Sequence, residues 1–230
     1  MATIKPFRAV RASRDKVALV SSRSYEAYTP AELGAQLNFN PFSFLHIISP
    51  SYNHNQELSN EQRFELIHEK YNEFKELGYF KKDNTPAFYI YKKVTSRFSC
   101  CGIIAATSTQ DYANNIIKKH EDTLHKREIL FSNYLKAVGF NAEPVLLTYP
   151  DNGNINNILK KYQQQRAEYE FTTENLSSHY VWLVDDKNDM QIIQQEFKKM
   201  NAIYIADGHH RSASSHLFTQ FLFFEIKNIK

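Results

Sequence analysis

The sequence predicts an α+β protein built on a mixed sheet with flanking helices. Short apolar runs of strand length recur along the chain, several longer polar segments carry apolar residues at helical spacing, and the two kinds follow each other without the strict alternation of βαβ units. The composition agrees with a folded globular protein, since 42% of the 230 residues are hydrophobic and 14% aromatic. A chain of this length can bury a substantial core, and residues 1–217 read as one domain followed by an atypical tail, 218–230.

Taken in order, Val17-Ala18-Leu19-Val20 reads as a first strand. Thr29-Pro30-Ala31-Glu32 is a helix start, with threonine as N-cap, proline in the first turn and an acid at the third helical position. Phe44-Leu45-His46-Ile47-Ile48 reads as a second strand, with His46 a hydrogen-bonded core residue. Residues 60–80 place Phe64, Leu66, Ile67, Tyr71, Phe74 and Leu77 largely on one helical face, and Gly78 is positioned to end that helix. Ala87-Phe88-Tyr89-Ile90-Tyr91 and Cys101-Gly102-Ile103-Ile104-Ala105 form antiparallel neighbours. Residues 111–138 read as a single helix ended by Gly139. A strand at 144–149, a helix at 154–165, a strand at 180–184 and a helix at 190–200 bring the chain to Ala202-Ile203-Tyr204-Ile205, a short buried strand.

The most informative stretch of the chain comes directly after that strand. Ala206-Asp207-Gly208-His209-His210-Arg211 leads into Ser212-Ala213-Ser214-Ser215-His216-Leu217, which can start a helix. A glycine at such a joint lets backbone amides approach a ligand, and a helix N-terminus offers unpaired N–H groups at a positive dipole end. The guanidinium of Arg211 suits a phosphate fork, and each imidazole can donate or accept. Gly208, His209, His210 and Arg211 therefore read as a phosphate cradle. Asp207 beside it is a candidate ligand for Mg²⁺, an ion that favours one or two carboxylates together with substrate phosphates.

Other patterns are weaker or absent. Cys100 and Cys101 are sequence neighbours, which strains a disulfide, and no CxxC pattern occurs, so a reducing cytoplasm is expected. The net charge of +3 is dispersed and no helix-turn-helix is recognisable, so nucleic acid is not an expected partner. No apolar run reaches the roughly 18 residues of a membrane span. The chain lacks a Walker loop, a GxGxxG fingerprint and a GxSxG elbow. Ile117-Lys118-Lys119-His120-Glu121-Asp122 fails the HExxH zinc signature, because the second histidine, His125, comes one position late. On local evidence that segment is a solvated charged helix turn, and Glu26 is an ordinary loop acid. His54 and His68 show no partner pattern.

The chain resembles the bacterial and archaeal DUF1015 family. The resemblance rests on Pro6-Phe7-Arg8-Ala9-Val10-Arg11, Arg23-Ser24-Tyr25-Glu26-Ala27-Tyr28 and Asn40-Pro41-Phe42-Ser43-Phe44-Leu45-His46-Ile47-Ile48-Ser49-Pro50. It also rests on Pro86-Ala87-Phe88-Tyr89-Ile90-Tyr91, Ile117-Lys118-Lys119-His120-Glu121-Asp122-Thr123, Glu143-Pro144-Val145 and Ile205-Ala206-Asp207-Gly208-His209-His210-Arg211. Family members run on past the last motif, so this resemblance implies a chain truncated at its C-terminus. The aromatic run Phe218-Thr219-Gln220-Phe221-Leu222-Phe223-Phe224 would then lack its cover. The DGHHR loop also resembles the phosphate-binding loop of the ParB/sulfiredoxin-like superfamily, which includes free serine kinases, although Ser212 stands where relatives often carry an aromatic.

That second resemblance implies a ParB/sulfiredoxin-like phosphate-loop core and a phosphotransferase that uses ATP or ADP with Mg²⁺ on a small hydroxyl metabolite such as L-serine. Carried onto this sequence, Glu26 is the base toward the hydroxyl, and Asp207 contacts metal or hydroxyl. His209, His210 and Arg211 neutralise charge on the moving group, with His210 closest to the chemistry. Lys118, His120 and Glu121 become candidate nucleotide contacts. The alternatives are a phosphatase using the same cradle, or a non-enzymatic ParB-like module that binds nucleotide and associates with DNA. A cytoplasmic protein able to form a homodimer is expected.

Overall fold

The computed structural model describes residues 1–53 and 57–228, so His54 lies outside the described residues. The N-terminal part runs through β1 (Ile4–Lys5), β2 (Val10–Ala12), α1 (Val17–Val20), a 3₁₀ turn at Tyr25–Ala27, α2 (Pro30–Phe39), α3 (Leu45–Ile48) and α4 (Asn60–Glu76). The middle holds β3 (Phe80–Lys82), β4 (Phe88–Val94), β5 (Ser99–Ile104), β6 (Ala106–Thr107), α5 (Thr109–Ala113), β7 (Ile117–Lys118) and α6 (His125–Val138). The last part holds β8 (Leu146–Thr148), α7 (Gly153–Gln163), β9 (Tyr169–Thr172), β10 (Ser178–Val184), α8 (Lys187–Lys199), β11 (Ile203–Asp207) and α9 (His209–Asn228).

Helices and strands are mixed as the sequence predicts. An antiparallel sheet takes the order β5-β4-β10-β9, a three-stranded mixed sheet the order β7-β11-β8, and two ribbons pair β1 with β6 and β2 with β3. The expected hairpin partners meet in register, Tyr91 opposite Gly102 and Ile90 opposite Ile103. Because side chains alternate across a strand, Phe88 and Ile90 of β4 share a face with Trp182 and Val184 of β10. That face packs with Ile155, Leu159, Ile193 and Phe197 of α7 and α8 and with Ile203 and Ile205 of β11. Burial of side chains of this size stabilises by about 1.5–3 kcal/mol each.

The helix start at Thr29 forms as the sequence implies. The Thr29 hydroxyl accepts from the Glu32 amide, and the Glu32 carboxylate accepts from the Thr29 amide. Gly78 and Gly139 follow the ends of α4 and α6 at φ +73° and +81°, where a side chain would be strained.

Three sequence readings are corrected. Residues 17–20 and 44–48 are helical turns rather than strands. Val20 and Ile47 bury in a second cluster with Ile67, Phe74, Phe80 and Val138, and a four-residue apolar run serves either geometry until a partner is chosen. His46 is nonetheless hydrogen-bonded, through Nε2 to the Asn40 carbonyl at 3.0 Å. The expected helix at 111–138 is broken. Ser108 caps α5 by accepting from the Gln110 and Asp111 amides, and Asn115 adopts φ +55° directly after it. Ile117 and Lys118 then pair in parallel with Ile203 and Tyr204. This pairing frees residues 119–124 as a loop.

Candidate functional site

Strand β11 delivers the DGHHR motif. Ile203 and Ile205 are buried while Tyr204, Ala206 and Asp207 face outward, and the register shifts between Ile205 and Asp207 opposite β8. Gly208 then turns the chain at φ +94°. A Cβ at this position would lie 3.1 Å from Nε and 3.2 Å from Cζ of Arg211, so both the dihedral and the space call for glycine. Helix α9 starts directly at His209 rather than at Ser212. The first backbone bond of its ladder runs from the Ser212 amide to the Gly208 carbonyl at 2.9 Å. The amides of His209, His210 and Arg211 thus form the helix's first turn, which has no intrahelical acceptors.

The three side chains of that turn go to different places. His209 is 5% exposed, with Nδ1 3.5 Å from Glu121 Oε2 and Nε2 buried without a hydrogen-bond partner. His210 accepts at Nε2 from the Leu124 amide at 3.2 Å, so a neutral ring carries its proton on Nδ1. Arg211 folds back over Gly208. Its Nη2 donates to Asp207 Oδ2 at 2.5 Å, and its Nη1 donates to the Pro144 carbonyl at 2.6 Å and lies 3.1 Å from Glu143 Oε2. The guanidinium is therefore engaged by two carboxylates and a carbonyl, and a phosphate would have to exchange with them.

The loop between β7 and α6 covers the motif. His120 and His209 rings meet edge to face with centroids 4.3 Å apart, and His120 Nε2 lies 3.9 Å from Glu121 Oε1. Lys118 sits opposite Tyr204 on the strand next to the motif. Lys119 turns away, its Nζ 4.5 Å from the centre of the Tyr112 ring. Farther along, Glu128 accepts from the Thr123 hydroxyl and pairs with His125 Nδ1 at 3.2 Å. Thr123 first, then His125 and the nearby His210, hold the Glu128 carboxyl below the usual carboxylate range.

Of the residues singled out from sequence, Asp207, Gly208, His209, His210, Arg211, Lys118, His120 and Glu121 come together on β11, α9, β7 and the loop after it. Glu26 does not visibly join them. It is exposed in the Tyr25–Ala27 turn, and among the described residues no hydrogen bond or ion pair connects it to 207–211. Sequence reasoning missed the tethering of Arg211 by Glu143 and Pro144, although Glu143-Pro144-Val145 already stood out as a matching segment. It also missed the meeting of His120, Glu121 and His209, which a helix through 111–138 would have hidden.

This geometry defines an α+β protein carrying a strand–glycine–helix loop with an imidazole-rich first turn. The chain belongs to the DUF1015 family, described as a protein of unknown function, whose family model matches residues 4–223. No curated protein and no solved structure matches the chain. Among the described residues, no helix is long and apolar enough to cross a membrane.

Proposed function

We propose that this protein is a nucleotide-dependent phosphotransferase acting on a small hydroxyl metabolite, with free L-serine the first acceptor to test. The observation that carries the reading is the turn at Gly208. It sets the open first-turn amides of α9 beside His210, Arg211 and an acid, in the strand-to-helix setting that suits a phosphate. The ParB/sulfiredoxin-like loop is part of this reading, and so is the assignment of ATP or ADP as donor.

A divalent ion fits the residues present. Asp207 is exposed, and its Oδ1 takes part in no hydrogen bond among the described residues. Asp207 would hold Mg²⁺ through that oxygen, and the ion would supply charge neutralisation on the phosphates. The chain's own contributions are positional. The amides of residues 209–211 and the Arg211 guanidinium hold phosphate oxygens, and His210 donates from Nδ1. Lys118 adds positive charge from the neighbouring strand. The base toward the acceptor hydroxyl is assigned to Glu26 on the resemblance alone, since no hydrogen bond or ion pair among the described residues connects it to 207–211. Because little covalent chemistry falls to the protein in phosphoryl transfer, this electrostatic placement is the main part of catalysis.

The test is turnover of ATP, ADP and CTP with L-serine present, followed by detection of phosphoserine. Serine-dependent turnover that falls in Glu26→Gln and Arg211→Ala supports the reading. Absence of turnover with all three nucleotides, together with saturable nucleotide-dependent DNA binding, overturns it in favour of a ParB-like binding module.

A further inference from the structure

We propose that His120, Glu121 and His209 form a binding site for a divalent transition-metal ion of the zinc class. One ligand atom from each of the three lies within 4.8 Å of the others. His209 Nδ1 lies 3.5 Å from Glu121 Oε2 and His120 Nε2 lies 3.9 Å from Glu121 Oε1, so the two histidines approach opposite oxygens of the one carboxylate. Tetrahedral coordination with bonds of about 2.0–2.1 Å needs ligand atoms about 3.3 Å apart. Ligand atoms as far as 4.8 Å apart have to close by up to about 1.5 Å to meet that geometry, a movement that falls to the two exposed side chains.

The donor set is selective. Two imidazoles and one carboxylate suit zinc and its neighbours, whereas Mg²⁺ and Ca²⁺ favour oxygen cages. The asymmetry of burial fits as well. His209 is held at the start of α9 at 5% side-chain exposure, whereas His120 and Glu121 are 59% and 65% exposed. A fixed inner ligand with two outer ones leaves the solvent side open for water or a further ligand.

The nitrogen of His209 that faces Glu121 is Nδ1, so a metal bound there leaves the ring proton on Nε2, which is buried and has no hydrogen-bond partner among the described residues. The positive end of α9 works against a cation here. The Glu121 carboxylate offsets it, and the nearest lysine in the loop, Lys119, is drawn off to Tyr112. The site is distinct from Asp207, whose Oδ2 is bound to Arg211, and it does not rest on the phosphotransferase reading.

The experiment uses the tag-free 230-residue chain, stripped by dialysis against a chelator, with no nucleotide added. Co²⁺ is titrated by visible absorption and Zn²⁺ by calorimetry. One metal per chain is expected, with a Co²⁺ ligand-field band of four- or five-coordinate character that Zn²⁺ abolishes. His120→Ala and Glu121→Gln change exposed loop side chains, so their fold is checked by circular dichroism alone. Each should weaken affinity roughly tenfold or more, as should His209→Asn, while His125→Ala leaves it unchanged. The proposal is overturned if folded His120→Ala and Glu121→Gln bind Co²⁺ as the parent does, or if His125→Ala weakens binding as much as they do. A chain that binds zinc but transfers no phosphate would separate this site from the function proposed above.

Discussion

Arg211 Nη2 lies 2.5 Å from Asp207 Oδ2, one turn apart across Gly208. The acid before the glycine thus holds the cation after it, and Glu143 holds it from a second side at 3.1 Å. A ligand phosphate would take over donors that are already aligned, at the expense of these carboxylates.

Arg211→Ala is expected to weaken phosphate-ligand binding by roughly 1.5–3 kcal/mol, the scale of a hydrogen bond to a charged group. Arg211→Lys should recover little of it, because a point charge cannot replace a planar fork. Titration of ATP against each variant by calorimetry checks this. Equal affinity in all three proteins would assign Arg211 to tethering Asp207 and Glu143 alone.

Gly208→Ala should destabilise the fold by about 1–3 kcal/mol, the usual cost of a residue held in a sparsely populated backbone region. The added Cβ would also push on the Arg211 guanidinium, 3.1 Å away. Urea unfolding measures the loss. Gly139→Ala meets no atom within 4 Å and serves as a control for strain alone, so ATP affinity should fall in the Gly208 variant and hold in the Gly139 one.

Arg11 ties the N-terminal segment to the main sheet. Its Nε donates to both oxygens of Asp83, and its Nη1 donates to Glu168 at 2.8 Å and to the Tyr169 hydroxyl at 2.7 Å. Tyr89 donates to the same Asp83 at 2.6 Å, and burial together with that bond pushes the Tyr89 phenol up to about 12. Arg11→Met strands two partly buried carboxylates and should cost about 2–3 kcal/mol. In a double-mutant cycle with Asp83→Asn the two losses should be less than additive.

Glu196 gives a pH signature. Lys199 at 2.6 Å, then the side-chain amides of Asn152 and Asn154 at 3.0 Å, lower its carboxyl from 4.5 to about 2. A depressed carboxylate stabilises above its unfolded value and loses that contribution as pH falls toward the folded one. The stability gap between the parent chain and Glu196→Gln should therefore hold above pH 4.5 and shrink between 4.5 and about 2. A gap unchanged over that range would show that Glu196 does not act through its charge.

What the sequence by itself determined is local. The Thr29–Glu32 capping box, the glycine ends at 78 and 139, the β4–β5 neighbours and the strand–glycine–helix motif at 203–211 all rest on residues within a few positions of one another, where propensity and capping decide. The tertiary structure decided the rest. Short apolar runs at 17–20 and 44–48 became helical because they pack into the cluster around Phe74. Residues 117–118 left a helical pattern because Ile203 and Tyr204 offered a strand edge. That one pairing carries His120 and Glu121 to His209, a distance of roughly ninety positions in sequence, and no spacing rule within the segment encodes a partner so far along the chain.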